Sequence, residues 1–142
     1  LPVIGAVPNC EPVWVNGGPT APAEIRTGDE VACYANNAIR RARVTRTLKG
    51  AGKGTVWLHG ASGAQIRCLW DERVAILVDG KRRFRRAEAV RMGDFLCRVV
   101  DGQMTVDPVV AIRSMLESVP TTVLEIPAVS LISEEGYLCR PS

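Results

Sequence analysis

Five cysteines and a single histidine carry the most reactive chemistry in this 142-residue chain. The cysteines are widely spaced and are Cys10, Cys33, Cys68, Cys97 and Cys139. Thiolates attack carbonyl carbons and bind metals, but no CxxC pair is present and one histidine cannot complete a Cys/His zinc site. The sequence therefore predicts no metal site and no cofactor, with at most one reactive thiol. Apolar buried thiols favour a reducing intracellular compartment.

Cys33 and His59 offer a remote alternative, a cysteine peptidase. That hypothesis needs a helix that begins at Cys33, because a helix N-terminus lowers the pKa of a thiol, with His59 as the general base. Residues 30–34 instead fit a β-strand after Gly28-Asp29, which favours a buried strand cysteine. His59 is also a weak acid–base candidate by itself, since only histidine has an unperturbed pKa near neutrality.

A basic segment surrounds one phenylalanine just after Asp79-Gly80. Its members are Lys81, Arg82, Arg83, Phe84, Arg85 and Arg86. Such residues bind phosphates and stack on bases, so the segment is a weak candidate for nucleic-acid binding. Because the net charge is only +3, a solvated face balanced by nearby carboxylates is favoured. No apolar run approaches the ~20 residues of a membrane helix, and no membrane partner is predicted.

The elements that must position these side chains are short β-branched runs separated by turn sequences. They cover residues 13–15, 30–34, 43–48, 55–59, 64–69, 74–78, 95–100, 104–112, 121–126 and 137–139. Asp79-Gly80 and Asp101-Gly102 lie between apolar runs and predict β-hairpins. Helical periodicity is confined to residues 86–91 and 111–118. The sequence therefore predicts a single all-β domain.

Alternation of apolar and polar residues predicts which side chains form the core. The predicted core residues are Val31, Leu48, Val56, Leu58, Ile76, Leu96, Val99, Leu124 and Ile126. Most lie at the centres of the predicted strands.

An internal repeat organises the chain. Residues 23–31, AEIRTGDEV, are similar to residues 87–96, AEAVRMGDFL, about 65 residues later. Each copy consists of one helical turn, a Gly-Asp reversal and a strand; glycine adopts positive φ without steric cost, and aspartate bonds nearby amides. We expect residues 23–59 and 87–126 to form two β halves about a pseudo-two-fold axis, with Gly28 and Gly93 at equivalent turns.

The order of these pieces resembles the Hint superfamily, the autoprocessing domains of hedgehog proteins and inteins. Residues 23–31 are similar to its IEELKVGDxV segment, and residues 44–48 are similar to its VTRVxK strand. Residues 66–80 occupy the place of its TxxH strand. Residues 84–95 are similar to its WVxAxxLxxGDxL segment, and residues 122–142 are similar to its closing VYDLEV…NGILVHN stretch. The resemblance covers residues 10–142 and implies a flat, horseshoe-like disc of many short antiparallel strands and hairpins. Residues 1–9 would be an upstream flanking segment of the single domain, 1–142.

In that family a first-strand Cys or Ser attacks the preceding carbonyl carbon, and the TxxH residues assist. The resemblance makes Cys10 the candidate nucleophile, acting on the Asn9–Cys10 bond. The threonine position is Leu69 and the histidine position is Glu72, which stays a weak acid–base candidate. The closing His-Asn pair reads Arg140-Pro141, and proline has no side-chain amide to cyclise.

These replacements decide between the functional hypotheses. The favoured one is a Hint-like domain of a larger protein with a degenerate active site, which has lost splicing chemistry and acts as a structural or interaction module. The alternative is a slow self-cleaving domain with Cys10 as nucleophile. The predicted partners are the flanking segments of its own polypeptide or another protein.

Overall fold

The computed structural model describes residues 3–128 and 130–141. The described residues form thirteen β-strands and two single 3₁₀ turns, which confirms the all-β prediction. The strands are β1 (Val3–Pro8), β2 (Val13–Val15), β3 (Gly18–Thr20), β4 (Glu30–Ala35), β5 (Ala38–Arg43), β6 (Arg46–Gly60), β7 (Gln65–Leu69), β8 (Arg73–Val78), β9 (Lys81–Arg86), β10 (Phe95–Val100), β11 (Gln103–Ile126), β12 (Leu131–Ile132) and β13 (Leu138–Arg140). The 3₁₀ turns are Pro22–Glu24 and Ala87–Ala89.

Two antiparallel sheets contain all of these strands. The larger has nine strands in the order β12-β13-β8-β10-β11-β6-β7, with β1 on β11 and β9 on β8. The smaller has four strands in the order β3-β2-β4-β5. The long strands β6 and β11 pair from Arg46↔Glu125 to Gly60↔Val109, with a register shift between Leu116 and Val119 near the middle. β1, β7 and β10 pair directly with β6 or β11, and the remaining strands of the larger sheet extend from β10.

The repeat predicted from the sequence recurs as two matched turns. In the first half, Gly28 has φ of 95° and its N–H donates to the Val44 carbonyl at 2.8 Å. In the second half, Gly93 has φ of 85° and its N–H donates to the Val109 carbonyl at 2.9 Å. Glycine is required at both positions because other residues rarely adopt such angles.

The aspartates that follow these glycines also match. A carboxylate oxygen of Asp29 accepts from the Arg26 N–H at 2.8 Å, and one of Asp94 accepts from the Arg91 N–H at 2.8 Å. In each turn, therefore, the aspartate carboxylate accepts a hydrogen bond from the backbone N–H of the residue three positions earlier. This agreement supports the predicted equivalence of Gly28 and Gly93.

The repeat is longer than the sequence indicates. β1 ends in a turn in which the Glu11 N–H donates to the Pro8 carbonyl at 3.2 Å, and β7 ends in one in which the Glu72 N–H donates to the Leu69 carbonyl at 3.2 Å. β1 pairs with the last residues of β11, and β7 pairs with the last residues of β6. The chain therefore runs β1-turn-β2-β3 and β7-turn-β8-β9 in equivalent places.

Most of the predicted core is buried. Of the nine predicted residues, seven are at most 1% exposed: Val31, Val56, Leu58, Ile76, Leu96, Leu124 and Ile126. The prediction was wrong for Leu48, which is 52% exposed, because both faces of the first half of β6 are largely open to solvent. Val99 is only partly buried because it lies near the tip of the β10–β11 hairpin.

Some local sequence patterns gave wrong or incomplete predictions of secondary structure. Residues 111–118, where helical periodicity was seen, lie in the middle of β11, because pairing with β6 outweighs the local pattern. The predicted flanking segment, residues 1–9, contains β1, which pairs along its whole length with β11. None of the predicted strands covered β1 or β9.

Candidate functional site

The Asn9–Cys10 peptide lies in the turn that follows β1. The Asn9 N–H donates to the Pro120 carbonyl at 3.0 Å, and the Thr122 hydroxyl donates to Oδ1 of Asn9 at 2.7 Å. Both partners belong to β11, so the strand holds Asn9 by its backbone and by its side chain. Cys10 is the next residue, and it is exposed at the corner of the turn.

The surroundings of Cys10 keep its thiol protonated. Partial burial of the sulfur raises its pKa above the usual value, and the nearby carboxylates of Glu11 and Glu117 raise it further. The Arg67 guanidinium acts in the opposite direction but does not prevail. Since the thiolate is the nucleophile, this environment lowers the reactivity of Cys10 near neutral pH.

Glu11, which sequence reasoning missed, is a neutral acid in this site. Burial raises the pKa of its carboxyl to about 8, although the Arg67 N–H bonds to it and opposes the shift. The carboxylates of Glu135 and Glu134 raise the pKa further. Its burial follows from the β1 turn, which could not be read from the sequence because β1 was not predicted.

Glu72, which the resemblance predicts at the position of the family's histidine, is only 2% exposed. Burial raises the pKa of its carboxyl to about 8, against the effect of the hydrogen bond from the Leu69 N–H. The Leu69 N–H lies 3.0 Å from Oε1. The Glu72 carbonyl also accepts from the Ala87 N–H at 2.7 Å, so this residue ties the β7–β8 turn to the second 3₁₀ turn.

Two further cysteines surround Glu72. Cys68 in β7 and Cys139 in β13 are each at most 1% exposed. Burial raises the pKa of both thiols well above the usual value, and the Glu72 carboxyl raises both further. The charges of Glu11 and Cys10 also act on Cys68, which places the two turns close together. The result is a cluster of protonated acids and thiols, defined here as the thiol–carboxyl cluster: Cys10, Glu11, Cys68, Glu72 and Cys139.

His59 lies near the end of β6. Its ring stacks on Trp57 with centroids 5.8 Å apart, and the Arg67 guanidinium lies 5.2 Å from the Trp57 ring centroid. Arg67 is the residue whose charge acts on Cys10. The described contacts of the His59 ring are therefore with Trp57, and none of them is with Cys10.

Cys33 and His59 lie in different sheets. Cys33 is buried in the middle of β4, opposite Arg40 of β5. The segment that follows is the strand Ala38–Arg43, so no helix begins at Cys33. The cysteine-peptidase hypothesis requires a helix that begins at Cys33, whereas this segment forms the strands β4 and β5.

The basic segment forms β9, which pairs with β8 alone. Arg85 forms a salt bridge with Asp94 at 3.0 Å, and Arg86 forms one with Glu88 at 2.9 Å. The Arg82 guanidinium lies 5.2 Å from the ring centroid of Tyr34. Phe84 packs against a hydrophobic cluster, which takes its ring away from base stacking. Lys81 and Arg83 are exposed.

The buried carboxylate of Asp107 accepts hydrogen bonds from the turn formed by Gly60-Ala61-Ser62-Gly63. Oδ2 of Asp107 accepts from the hydroxyls of Ser62 and Tyr137, each at 2.6 Å. Burial alone would raise the pKa of this carboxyl, but these hydrogen bonds hold it below its ordinary value. The Ser62 hydroxyl therefore fixes the turn at residues 61–63 to β11 through Asp107.

Two classes of site find no support in the described part of the chain. Residues 3–128 and 130–141 contain no group of three or more His, Cys, Asp or Glu side chains that could hold a metal ion. Among the same residues, no helix is long and apolar enough to cross a membrane.

Comparison with known proteins identifies the architecture. No protein-family model matches the sequence, and no curated protein matches it. Among solved structures, the TvoVMA intein has a TM-score of 0.83 at 17% identity, covering 94% of this chain and 95% of that chain. A DnaB intein from Synechocystis sp. PCC 6803 has a TM-score of 0.80 at 14% identity, covering 97% and 99%.

Other matches agree with these two. The transcription factor IIB Mvu mini-intein has a TM-score of 0.81 at 14% identity and covers 96% of this chain and 99% of that chain. The likeness extends over nearly the whole length of both chains, and it includes the paired halves described above. Together these matches show that the chain has the fold of the inteins, the Hint fold.

Proposed function

We propose that this chain is a Hint-fold domain without protein-splicing chemistry, which serves as a rigid structural or interaction module of a longer polypeptide. The observation that carries the proposal is the state of Glu72. At the position that the resemblance gives to the family's histidine, its carboxyl is buried and accepts a hydrogen bond from the Leu69 N–H at 3.0 Å. It is therefore engaged in closing the β7–β8 turn.

Two other features of the chain support the loss of splicing. Pro141 stands where the family has the asparagine that cyclises, and the proline ring offers no amide for that reaction. The raised pKa of the Cys10 thiol leaves little thiolate at neutral pH. The first and the last steps of splicing are thus both disfavoured by residues of this chain.

A second candidate function, slow self-cleavage at Asn9–Cys10, is favoured by one observation. Asn9 is held on two sides by β11, while Cys10 is exposed beside it. In this reaction Sγ of Cys10 would form a bond with the Asn9 carbonyl carbon and lose its proton. The C–N bond would break, and the Cys10 nitrogen would gain a proton to become a free amine.

The rate of that reaction would be limited by proton transfer to the leaving amine. A positioned general acid contributes about 10²- to 10⁴-fold, and the described hydrogen bonds place none on the Cys10 nitrogen. The thioester so formed would be open to dithiothreitol or hydroxylamine, which would release a fragment ending at Asn9.

Mass spectrometry of the chain with an N-terminal tag distinguishes the two functions. We expect the tagged chain to stay intact after days with dithiothreitol or hydroxylamine, indistinguishable from Cys10→Ala. A fragment ending at Asn9, present in the wild type and in Cys33→Ala but lost in Cys10→Ala, would overturn the non-splicing proposal and establish self-cleavage. Cys33→Ala is the matched control because it removes a thiol outside the thiol–carboxyl cluster.

A further inference from the structure

Three arginines stand directly opposite one another on adjacent strands of the larger sheet. Arg140 of β13 is in register with Arg73 of β8, and Arg73 is in register with Arg86 of β9. Residues directly opposite in antiparallel strands point to the same face, and like charges in such pairs destabilise a sheet. This set is called the arginine row below.

The arginine row lines a polar cleft. The cleft has a volume of about 550 Å³, within the range of about 300–1,000 Å³ typical of ligand pockets. Asp71 and Pro141 also line it, and the apolar side chains of Val3 and Ile4 form part of its wall. Three guanidinium groups thus share one concave site with a single carboxylate.

One member of the row has a carboxylate partner on the surface. Arg86 forms a salt bridge with Glu88 at 2.9 Å, and the two side chains are 51% and 43% exposed. Exposed pairs of this kind contribute little. A guanidinium has five N–H donors, so Glu88 leaves most of the donors of Arg86 for another acceptor.

We propose that the arginine row binds a phosphoryl group, carried on a small anionic molecule whose apolar part lies against Val3 and Ile4. Guanidinium groups match the oxygens of phosphate with paired, charge-assisted hydrogen bonds. A phosphoryl group carries close to two negative charges at neutral pH, which offsets the positive charge of the row in excess of Asp71 and of Glu88, the surface partner of Arg86. The bound anion removes the repulsion that the register of the strands creates.

The proposal predicts that the effect of Arg73→Gln on Tm differs between solutions with and without phosphate. Without phosphate at low salt, Arg73→Gln should raise Tm by about 1–3 °C, since it removes the central charge of the row. Inorganic phosphate at ten times its Kd should raise Tm of the wild type by about 3–6 °C and leave Arg73→Gln unchanged. Arg140→Gln should behave like Arg73→Gln.

Differential scanning fluorimetry at constant ionic strength, with phosphate replaced by chloride or acetate, measures these shifts. The matched control is Arg83→Gln, an exposed arginine of β9 opposite Ile76, which should keep the full response to phosphate. The proposal fails if chloride stabilises the wild type as much as phosphate does, or if Arg73→Gln retains the shift.

A competition experiment identifies the source of the phosphoryl group. In isothermal titration calorimetry with inorganic phosphate, a saturating single-stranded oligonucleotide that abolishes the heat assigns the site to a nucleic-acid backbone and overturns the small-molecule part of the proposal. An unchanged heat supports a small phosphate compound.

Discussion

Two glutamates at equivalent places in the two halves carry the most unusual chemistry of single residues. Glu11 follows the β1 turn, Glu72 follows the β7 turn, and burial raises the pKa of each carboxyl to about 8. Each raises the pKa of a cysteine in the thiol–carboxyl cluster. At neutral pH both are mainly neutral acids, which avoids the cost of burying an unpaired charge. The stability of the protein should therefore depend on pH through these two side chains.

Glu72→Gln tests this dependence. An unfolded glutamate has a pKa of ~4.3, whereas folded Glu72 has one of about 8. Between these values the folded chain holds the extra proton, so the free energy of unfolding falls as pH rises and the loss is complete above pH ~8. Glutamine stays neutral, and the variant should lose less stability over this range. Urea denaturation from pH 5 to pH 8.5 measures the slope.

The exposed Glu24 provides the control for this measurement, because Glu24→Gln should reproduce the wild-type slope. Glu11 should account for part of the remaining slope in Glu72→Gln, and the double variant Glu11→Gln/Glu72→Gln should be flatter still. A wild-type slope retained in Glu72→Gln would show that the carboxyl of Glu72 is charged when folded.

Sequence reasoning identified single residues of the candidate site but not their neighbours. Cys10 and Glu72 were named because they occupy recognisable places in a motif. Glu11 and Arg67 were missed because their roles depend on the β1 turn and on the register of β7. Neither can be read from residue types, since the pKa of a glutamate is raised by desolvation only when strands from distant parts of the chain partly enclose it.

At the scale of elements, the paired Gly-Asp turns define the repeat. A Cβ atom added at Gly28 or at Gly93 would meet no other atom within 4 Å. The cost of a side chain at either position is therefore purely that of the positive φ, 95° at Gly28 and 85° at Gly93. Equivalent positions should respond equally to the same change.

Gly28→Ala and Gly93→Ala should each destabilise the protein by about 1–2 kcal/mol, which is the cost of a left-handed backbone at an L-residue. Chemical denaturation of the two variants measures both values. Gly18→Ala is the control, because its Cβ also meets no other atom and its φ lies outside the positive range. Clearly unequal effects of Gly28→Ala and Gly93→Ala would contradict their equivalence.

The elements that sequence patterns predicted are those in the interior of the sheets. β4, β8 and β10 are short runs rich in apolar residues and were predicted at nearly their observed bounds. β9 was missed because its residues are almost all basic, and β1 because it contains glycine and proline. Strand propensity is weak at such positions, and pairing with a distant strand decides the structure.

At the scale of the whole molecule, the Hint fold could be predicted although the inteins compared above share only 14–17% identity with the chain. The prediction depended on the two Gly-Asp reversals and on the order of the segments around them. The two reversals are required by the backbone geometry of the turns, and most other positions of the chain can differ in side chain without changing them. The length of β11 and its pairing with β6 could not be foreseen, since local patterns contain no information on long-range register.

The cleft of the arginine row has one more consequence, which concerns chain connectivity. Val3 and Ile4 line the same cleft as Arg140 and Pro141, so the two ends of the described fold lie side by side. Neighbouring ends allow circular permutation. A permutant with a short glycine-serine linker between the original ends and a new opening at the exposed Asp101-Gly102 turn should fold with a Tm close to that of the parent. Circular dichroism during heating measures it, and an unfolded permutant would show that strand order, rather than the closeness of the ends, governs folding.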